Sequence, residues 1–386
     1  MATNAIFPLE PLERFAQRNS AVRRPQEITH FSFDDAHQLR LDASSLRYYY
    51  PPELHTSLSE GFETFVKHDD SVDSHLDGLL DALVELEKKT GEKCETDIIT
   101  WRGMMTKFMS LPFDMRNGFE MNATKFQDTI FIEESHAYKM ATQRPGGHRQ
   151  QVMSYWGYKF ETLSTLPATW DDTPRETIES RMKEVVSNEA QFCSIVKTSF
   201  GDTGMILGGE VDAVWDTHAP SSADGTQYIE LKTNKRITSD RDEIAFERKM
   251  QRFWAQSFLL GVGRVIVGFR DDDGILRNVK EFETHDLPRL ASSSGRNLWD
   301  AQFSIDFTTE IVKWLKEVIV DDGVWTIRHA EDSRVVEVIR KEGAKSFLSE
   351  EFLSWRKGRF EGGVKVEGGE VEPLKSIDTA MTSVYI

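Results

Sequence analysis

The chain has only two cysteines, Cys94 and Cys193, in 386 residues. Two thiols supply neither a disulfide framework nor zinc-knuckle spacing, and they suit a reducing compartment such as the nucleus or cytosol. There is no run of about 18 apolar residues, so no membrane-spanning helix is expected. The first residues, MATNAIFPLEPLERFAQ, lack the basic-then-apolar order of a secretory signal. No G-x-x-x-x-G-K-[ST] loop, H-E-x-x-H pair or G-x-S-x-G elbow occurs, which leaves little support for those phosphate-loop, zinc-protease and serine-hydrolase chemistries. Positive charge is also short: 47 Lys and Arg stand against 64 Asp and Glu, a net charge of −17. That balance argues against a broad basic surface for nonspecific nucleic-acid binding. It leaves open an enzyme that grips one strand end through divalent cations, because such sites are built from carboxylates.

The length suits one large domain or two ordinary ones. No repeat or clear linker divides the chain, which favours a single mixed α/β domain over 30–360. Residues 1–29 read as an irregular N-terminal arm with scattered Pro. Residues 361–386, with Gly362-Gly363 and Gly368-Gly369 among acidic residues, read as a disordered tail. Strand-like text occurs at His30–Phe33, at the tyrosines 48–50, and over about 117–166. Leu76, Leu79, Leu80, Leu83 and Leu86 have helical spacing. Thr173-Pro174-Arg175-Glu176 predicts a helix start, with helix to about Val186 and more towards Thr198. Residues 204–237 predict two strands joined by a turn at His218–Gly225. Asp242–Leu260 predicts an amphipathic helix capped by Gly261, followed by a buried strand at 264–269, a hairpin turn at 271–274 and a helix over Phe307–Val320.

The stretch that carries chemistry is Gly208-Gly209-Glu210-Val211-Asp212, followed by Glu230-Leu231-Lys232. Side chains alternate along a strand, so Glu210 and Asp212 share one face, as do Glu230 and Lys232. If the two strands are neighbours, three carboxylates and one ammonium converge. Such a cluster is costly, because like charges repel and raise one another's pKa. A Mg²⁺ or Mn²⁺ ion removes the conflict, since hard cations take oxygen ligands. The ion would polarise a phosphoryl oxygen and activate water, and Lys232 would orient the water or neutralise developing charge. The plain alternative is a set of salt-bridging pairs on an exposed hairpin. Two further residues stand out. Glu161 follows the aromatic Gly157-Tyr158-Lys159-Phe160. Gln256 sits among Phe253, Trp254, Phe258 and Leu259, where it either binds substrate or satisfies a buried backbone group.

These pieces, with Ser45-Leu46-Arg47-Tyr48-Tyr49, Thr100-Trp101-Arg102-Gly103 and Phe253-Trp254-Ala255-Gln256-Ser257-Phe258-Leu259, resemble the DXO family of decapping nucleases over roughly residues 30 to 340. Within it the chain is similar to the fungal nuclear members that partner a 5′→3′ exoribonuclease. The resemblance implies two β-sheets flanked by helices around a metal-nuclease site. It implies Glu161, Glu210, Asp212, Glu230 and the carbonyl of Leu231 as holders of divalent metal. Lys232 and Gln256 would lie at the scissile phosphate. Arg102, with Trp101 and Gly103, would meet RNA phosphates, an arginine fork being suited to paired phosphate oxygens. Cys193 would touch substrate. The implied reactions are pyrophosphate release from 5′-triphosphate RNA and removal of incomplete or NAD-type caps, with some exonuclease activity. Nuclear residence is implied too, with cytoplasm as the alternative; Lys235-Arg236 is too short for a localisation cluster.

Two rivals remain. One is a module that mainly stabilises an exoribonuclease, against which the intact carboxylate set argues. The other is a DNA nuclease with the same E-x-D and E-x-K logic, against which Trp101-Arg102 and Gln256 argue.

Overall fold

Ile98–Trp101 carries apolar side chains on both faces, and both faces are covered. Ile98 belongs to a core with Met105, Phe108 and Met205, whereas Ile99 belongs to another with Leu79, Leu83 and Phe131. A strand buried on both faces belongs inside a sheet. It pairs in parallel with Thr129–Glu134 on one side and Thr203–Glu210 on the other. The computed structural model describes residues 4–143, 146–215 and 227–360.

Among the described residues the strands form two sheets. The ten-stranded sheet runs Asn4–Pro8, Val335–Lys341, Val324–His329, Phe119–Phe126, Thr129–Glu134, Ile98–Trp101, Thr203–Glu210, Gln191–Phe200, Val22–Phe33 and Leu39–Arg40. The six-stranded sheet runs Leu276–Glu283, Arg264–Arg270, Tyr228–Lys235, Ala213–Val214, Tyr48–Tyr49 and Thr165–Leu166. Helix Asp77–Thr90 packs on one face of the large sheet and helix Arg102–Ser110 on the other. Helix His148–Leu163 covers Ile229, Leu231 and Ile266 of the small sheet.

The helix Asp240–Leu260 lies between the sheets. It contacts Thr203–Glu210, Gln191–Phe200 and Val22–Phe33 of the large one, and Tyr228–Lys235 and Arg264–Arg270 of the small one. Its ends are written in the sequence. Ser239 accepts a hydrogen bond from Asp242 N, Asp240, Asp242 and Glu243 fill the positive first turn, and Gly261 adopts φ 72°. Phe246, Phe253, Trp254, Ala255 and Leu259 are buried along it.

The mixed α/β single domain with two sheets is as expected, but several local expectations fail. Residues 4–29 of the expected irregular arm are not irregular. Asn4–Pro8 pairs antiparallel with Val335–Ile339, and Val22–Phe33 is a twelve-residue strand. Phe7 packs against Phe15 and against Phe307 and Trp314, the latter two 300 and 307 residues away, where local periodicity cannot reveal them. The Gly157–Phe160 segment is helical, not extended. Tyr155, Trp156, Lys159, Phe160 and Leu163 are its buried positions, a 3.6-residue period hidden under residues of high strand propensity. The helix after Pro174 ends at Ser180, with a short 3₁₀ turn behind it. Gln191–Phe200 is a strand, held by antiparallel pairing on both sides. Thr173 donates its hydroxyl to Ala168 and Thr169 carbonyls and does not cap. The turn at His218–Gly225 and the tail 361–386 lie outside the described residues.

The helix Glu350–Phe360 is tied to Asp77–Thr90 by a buried ion pair. Arg356 Nη2 lies 2.5 Å from Glu87 Oε1, with both side chains 0% exposed. Glu87 also accepts from Cys94 N and Trp355 Nε1 at 2.9 Å each. Removing one partner leaves a buried charge unmatched. Glu87→Ala is therefore expected to cost about 3–5 kcal/mol in denaturant unfolding, whereas exposed Lys89→Ala moves stability by roughly 0.5 kcal/mol or less.

Candidate active site

The chain leaves one sheet and enters the other across Glu210-Val211-Asp212. Thr203–Glu210 ends in the large sheet, Ala213–Val214 opens the small one, and the latter pairs with Tyr228–Ile229. The two long strands expected to be neighbours thus belong to different sheets, with the two-residue strand as the link. The convergence still occurs. Val265 and Val267, register partners of Glu230 and Lys232, are buried in the core that includes the helix between the sheets. Glu230 and Lys232 share that face, and Ile229 and Leu231 take the opposite one.

Contacts and charge coupling bring the predicted residues together. Glu230 Oε2 lies 2.9 Å from Arg102 Nη1, and Glu230 Oε1 lies 2.6 Å from Lys232 Nζ. Asp212 Oδ2 accepts from Leu231 N at 2.5 Å. Glu161 stands in the last turn of helix His148–Leu163, close enough to feel Asp212, Glu210, Lys232 and Glu230. Arg102 opens its helix directly after the Ile98–Trp101 strand. Gly209 permits this approach: a Cβ there would lie 2.8 Å from Leu260 Cδ1 and 3.1 Å from Arg102 Cβ.

The charges are unequal. Burial raises the Glu230 carboxyl, but Arg102 and Lys232 outweigh it and hold the group well below the carboxylate range. Glu210 is pushed up to about 7, first by desolvation and then by Asp212, with Arg102 opposing. It keeps solvent access along a concave wall, yet the surrounding protein still desolvates it. Burial also raises Asp212, with Glu230 adding, and raises Glu161 further, with Asp212 and Glu210 adding. Lys232 is raised despite burial because Glu230 and Asp212 favour its ammonium form.

A cleft of about 490 Å³ opens over this cluster. Glu161, Glu210 and Asp212 line it together with Arg47, Tyr158 and Ser45. Arg47 did not stand out as a site residue in the sequence. Its signal was its place in the Ser45–Tyr49 motif, one residue before the Tyr48–Tyr49 strand. Its guanidinium reaches Thr165 Oγ1 at 3.3 Å and Glu184 Oε1 at 3.4 Å, so it is the cationic side chain among an acidic lining.

Other candidates fare differently. The Trp101 ring packs toward the core face of helix Asp77–Thr90, and its Nε1 donates to His75 O at 3.2 Å. A Cβ on Gly208 would lie 2.9 Å from that ring. It positions the strand and does not enter the cleft. Gly103 leaves open space at the helix start. Cys193 is the register partner of Glu210 and is buried; burial and Glu210 push its thiol far up, so it stays protonated and is a poor nucleophile. Gln256 is half-buried, one turn before Leu260 and on the same helix face, which directs it toward Gly209.

Four carboxylates against Arg102 and Lys232 leave two negative charges uncompensated, and three of the four are driven upward. An all-oxygen donor set with that surplus fits a hard divalent cation. It is not a finished cage: among the described residues, no three of these oxygens lie within 4.8 Å of one another. Glu161, Glu210 and Asp212 would hold the ion, with Glu230 shared between it and the cations. An acid raised above its unfolded value stabilises the fold only while protonated. For Glu210 that contribution is present below the ordinary carboxylate value and lost as pH climbs through about 7. A bound cation reverses the loss and releases protons. The rise in Tm caused by Mn²⁺ should therefore be larger at about pH 8 than at about pH 6 by thermal shift, and the difference should shrink in Glu210→Gln, where Asp212 and Glu161 still titrate.

The chain is similar over most of its length to known proteins. The chain is 51% identical over 352 residues to the decapping nuclease RAI1 of Emericella nidulans, which covers 91% of this chain and 98% of that protein. Candida albicans Rai1, solved in complex with pU5-Mn²⁺, superimposes with a TM-score of 0.84 at 27% identity, over 93% of this chain and all of that one. Scheffersomyces stipitis Rai1, solved with (3′-NADP)⁺ and calcium ion, gives 0.80 at 29% identity, over 88% of this chain and 98% of that one. The family model for the RAI1-like PD-(D/E)XK nuclease matches residues 23–353, and the chain belongs to that family.

Proposed function

We propose that this nuclease hydrolyses phosphate bonds at the 5′ end of RNA, releasing pyrophosphate from 5′-triphosphate ends and removing incomplete or NAD-type caps. The observation that carries the reading is the cluster of Glu161, Glu210, Asp212 and Glu230 around Arg102 and Lys232 beneath an open cleft. The names of the relatives support it, as do the RNA and dinucleotide ligands of the Rai1 structures. A resident Mg²⁺ or Mn²⁺ would supply Lewis acidity and an activated water.

The chain's own residues then divide the remaining work. Arg102, released from part of its pairing with Glu230, binds a phosphate next to the one attacked. Lys232 keeps its proton and holds it toward the phosphoryl oxygens, where negative charge grows. Arg47 neutralises the strand where it enters the cleft. Gln256 donates its amide to a substrate oxygen. One site serves several 5′ ends because each reaction is water attacking the first phosphates. Association with a nuclear 5′→3′ exoribonuclease, and nuclear residence, belong to the same proposal and rest on the family resemblance.

The deciding assay incubates purified protein with 5′-triphosphate RNA and unmethylated-cap RNA, in Mg²⁺ or Mn²⁺ and in EDTA. Release of pyrophosphate or cap dinucleotide should require metal. It should fall by at least about 10²-fold in the Glu210→Ala, Asp212→Ala double variant. No product from either RNA would overturn the proposal and favour a stabilising partner or a DNA nuclease. Arg47→Ala should raise KM several-fold with a smaller change in kcat, because it acts on binding more than on the reacting phosphate. Lys232→Ala should lower kcat, by roughly 10²-fold.

A further inference from the structure

A second cluster of metal-ligating groups lies on the rim of the cleft, outside the carboxylate site. His37 sits in the turn between the Val22–Phe33 and Leu39–Arg40 strands, His68 in a loop, and Glu189 just before the Gln191–Phe200 strand. One ligand atom from each lies within 4.8 Å of the other two, the only such group among the described residues. His68 Nδ1 is 2.8 Å from Glu189 Oε2, and His37 Nδ1 is 3.6 Å from the same oxygen. All three side chains are half-buried, at 23%, 25% and 18% exposure, so an ion could enter and keep a water ligand.

The three groups are held in place. His37 takes φ 53°, and its ring stacks on Phe33 at 4.2 Å and lies tilted against His68 at 3.8 Å. His37 Nδ1 also meets Glu189 O at 2.9 Å. The His68 backbone N donates to Asn188 Oδ1 at 2.7 Å, which fixes the loop against the segment that carries Glu189. These contacts hold the three segments side by side.

We propose that His37, His68 and Glu189 bind a divalent cation of borderline softness, zinc before others, separate from the catalytic ion. Two imidazoles and one carboxylate with a water in the fourth position form a familiar tetrahedral set, and imidazole selects against magnesium. At zinc bond lengths the edge of the tetrahedron is roughly 3.3 Å. The observed 2.8 and 3.6 Å separations bracket it. The ion takes the two Nδ1 positions: a neutral ring moves its proton to Nε2, away from the carboxylate for His68 and from the Glu189 carbonyl for His37, and only a charged ring releases a proton to solvent. Ligation opens the two rings to about 5 Å, a movement the turn and the loop can take up. The ion then staples three segments beside Asp34, Asp35, Ala190 and Gln191, which line the catalytic cleft.

The test is zinc content of the full-length protein after EDTA stripping, incubation with Zn²⁺ and desalting, run in the Glu210→Ala, Asp212→Ala background to disable the catalytic site. That protein should retain one equivalent, and its Tm should rise with Zn²⁺ but not with Mg²⁺. Adding His37→Ala or His68→Ala should abolish both the retained ion and the Tm shift. Equal zinc content with and without the histidine substitutions would overturn the proposal. So would the absence of retained zinc in the parent double variant, a result that stands even if the histidine variants fail to fold.

Discussion

The structure depends on one crossing of the backbone. Between Thr203 and Val214 a single stretch of chain serves both sheets, and Glu210 and Asp212 occupy the step between them. Carboxylates on such a step cannot be moved apart without separating the sheets. Their repulsion is therefore built into the fold, and the fold must supply what offsets it. Arg102 and Lys232 do part of this through Glu230. The rest is left to a cation.

That balance reconciles a strongly acidic chain with a nucleic-acid substrate. Phosphate and carboxylate repel, and the described cleft lining holds more acids than bases. Divalent cations bridge the two kinds of anion, and a few well-placed cationic side chains orient the strand. Affinity then depends on the 5′ end and on the ions, with little drawn from the rest of the surface.

The sequence disclosed much of this site and less of the frame. The E-x-K alternation was readable because a strand's period of two assigns faces without any tertiary information, and Ile229 and Leu231 do face the core, whereas E-x-D converges through the step between the sheets and not through a strand's period. The helix expected over 242–260 was readable from its apolar stripe and the Gly261 cap, and it starts two residues earlier, at Asp240. Three things were not. Phe7 and its edge strand depend on partners at the other end of the chain. The helix bearing Glu161 hides its period under Tyr155, Trp156 and Tyr158, residues equally at home in strands. Arg47 was visible only as part of the Ser45–Tyr49 motif, and only the folded cleft shows what surrounds it. Trp101, expected from its motif to meet substrate with Arg102, packs into the space that Gly208 leaves open.

The helix Asp240–Leu260 has both sheets as neighbours and so acts as a spacer between the strand that ends in Glu210 and the strand that carries Glu230. A helix with its side chains is about 10–12 Å across, and that width depends on which side chains they are. The distance between the two halves of the ligand set is therefore held by Phe253, Ala255 and Leu259, none of which bears a charge. Magnesium tolerates little departure from short octahedral bonds, whereas manganese and calcium accept more. Ion preference in this enzyme can thus drift through exchanges of one hydrophobic residue for another, with every ligand left unchanged.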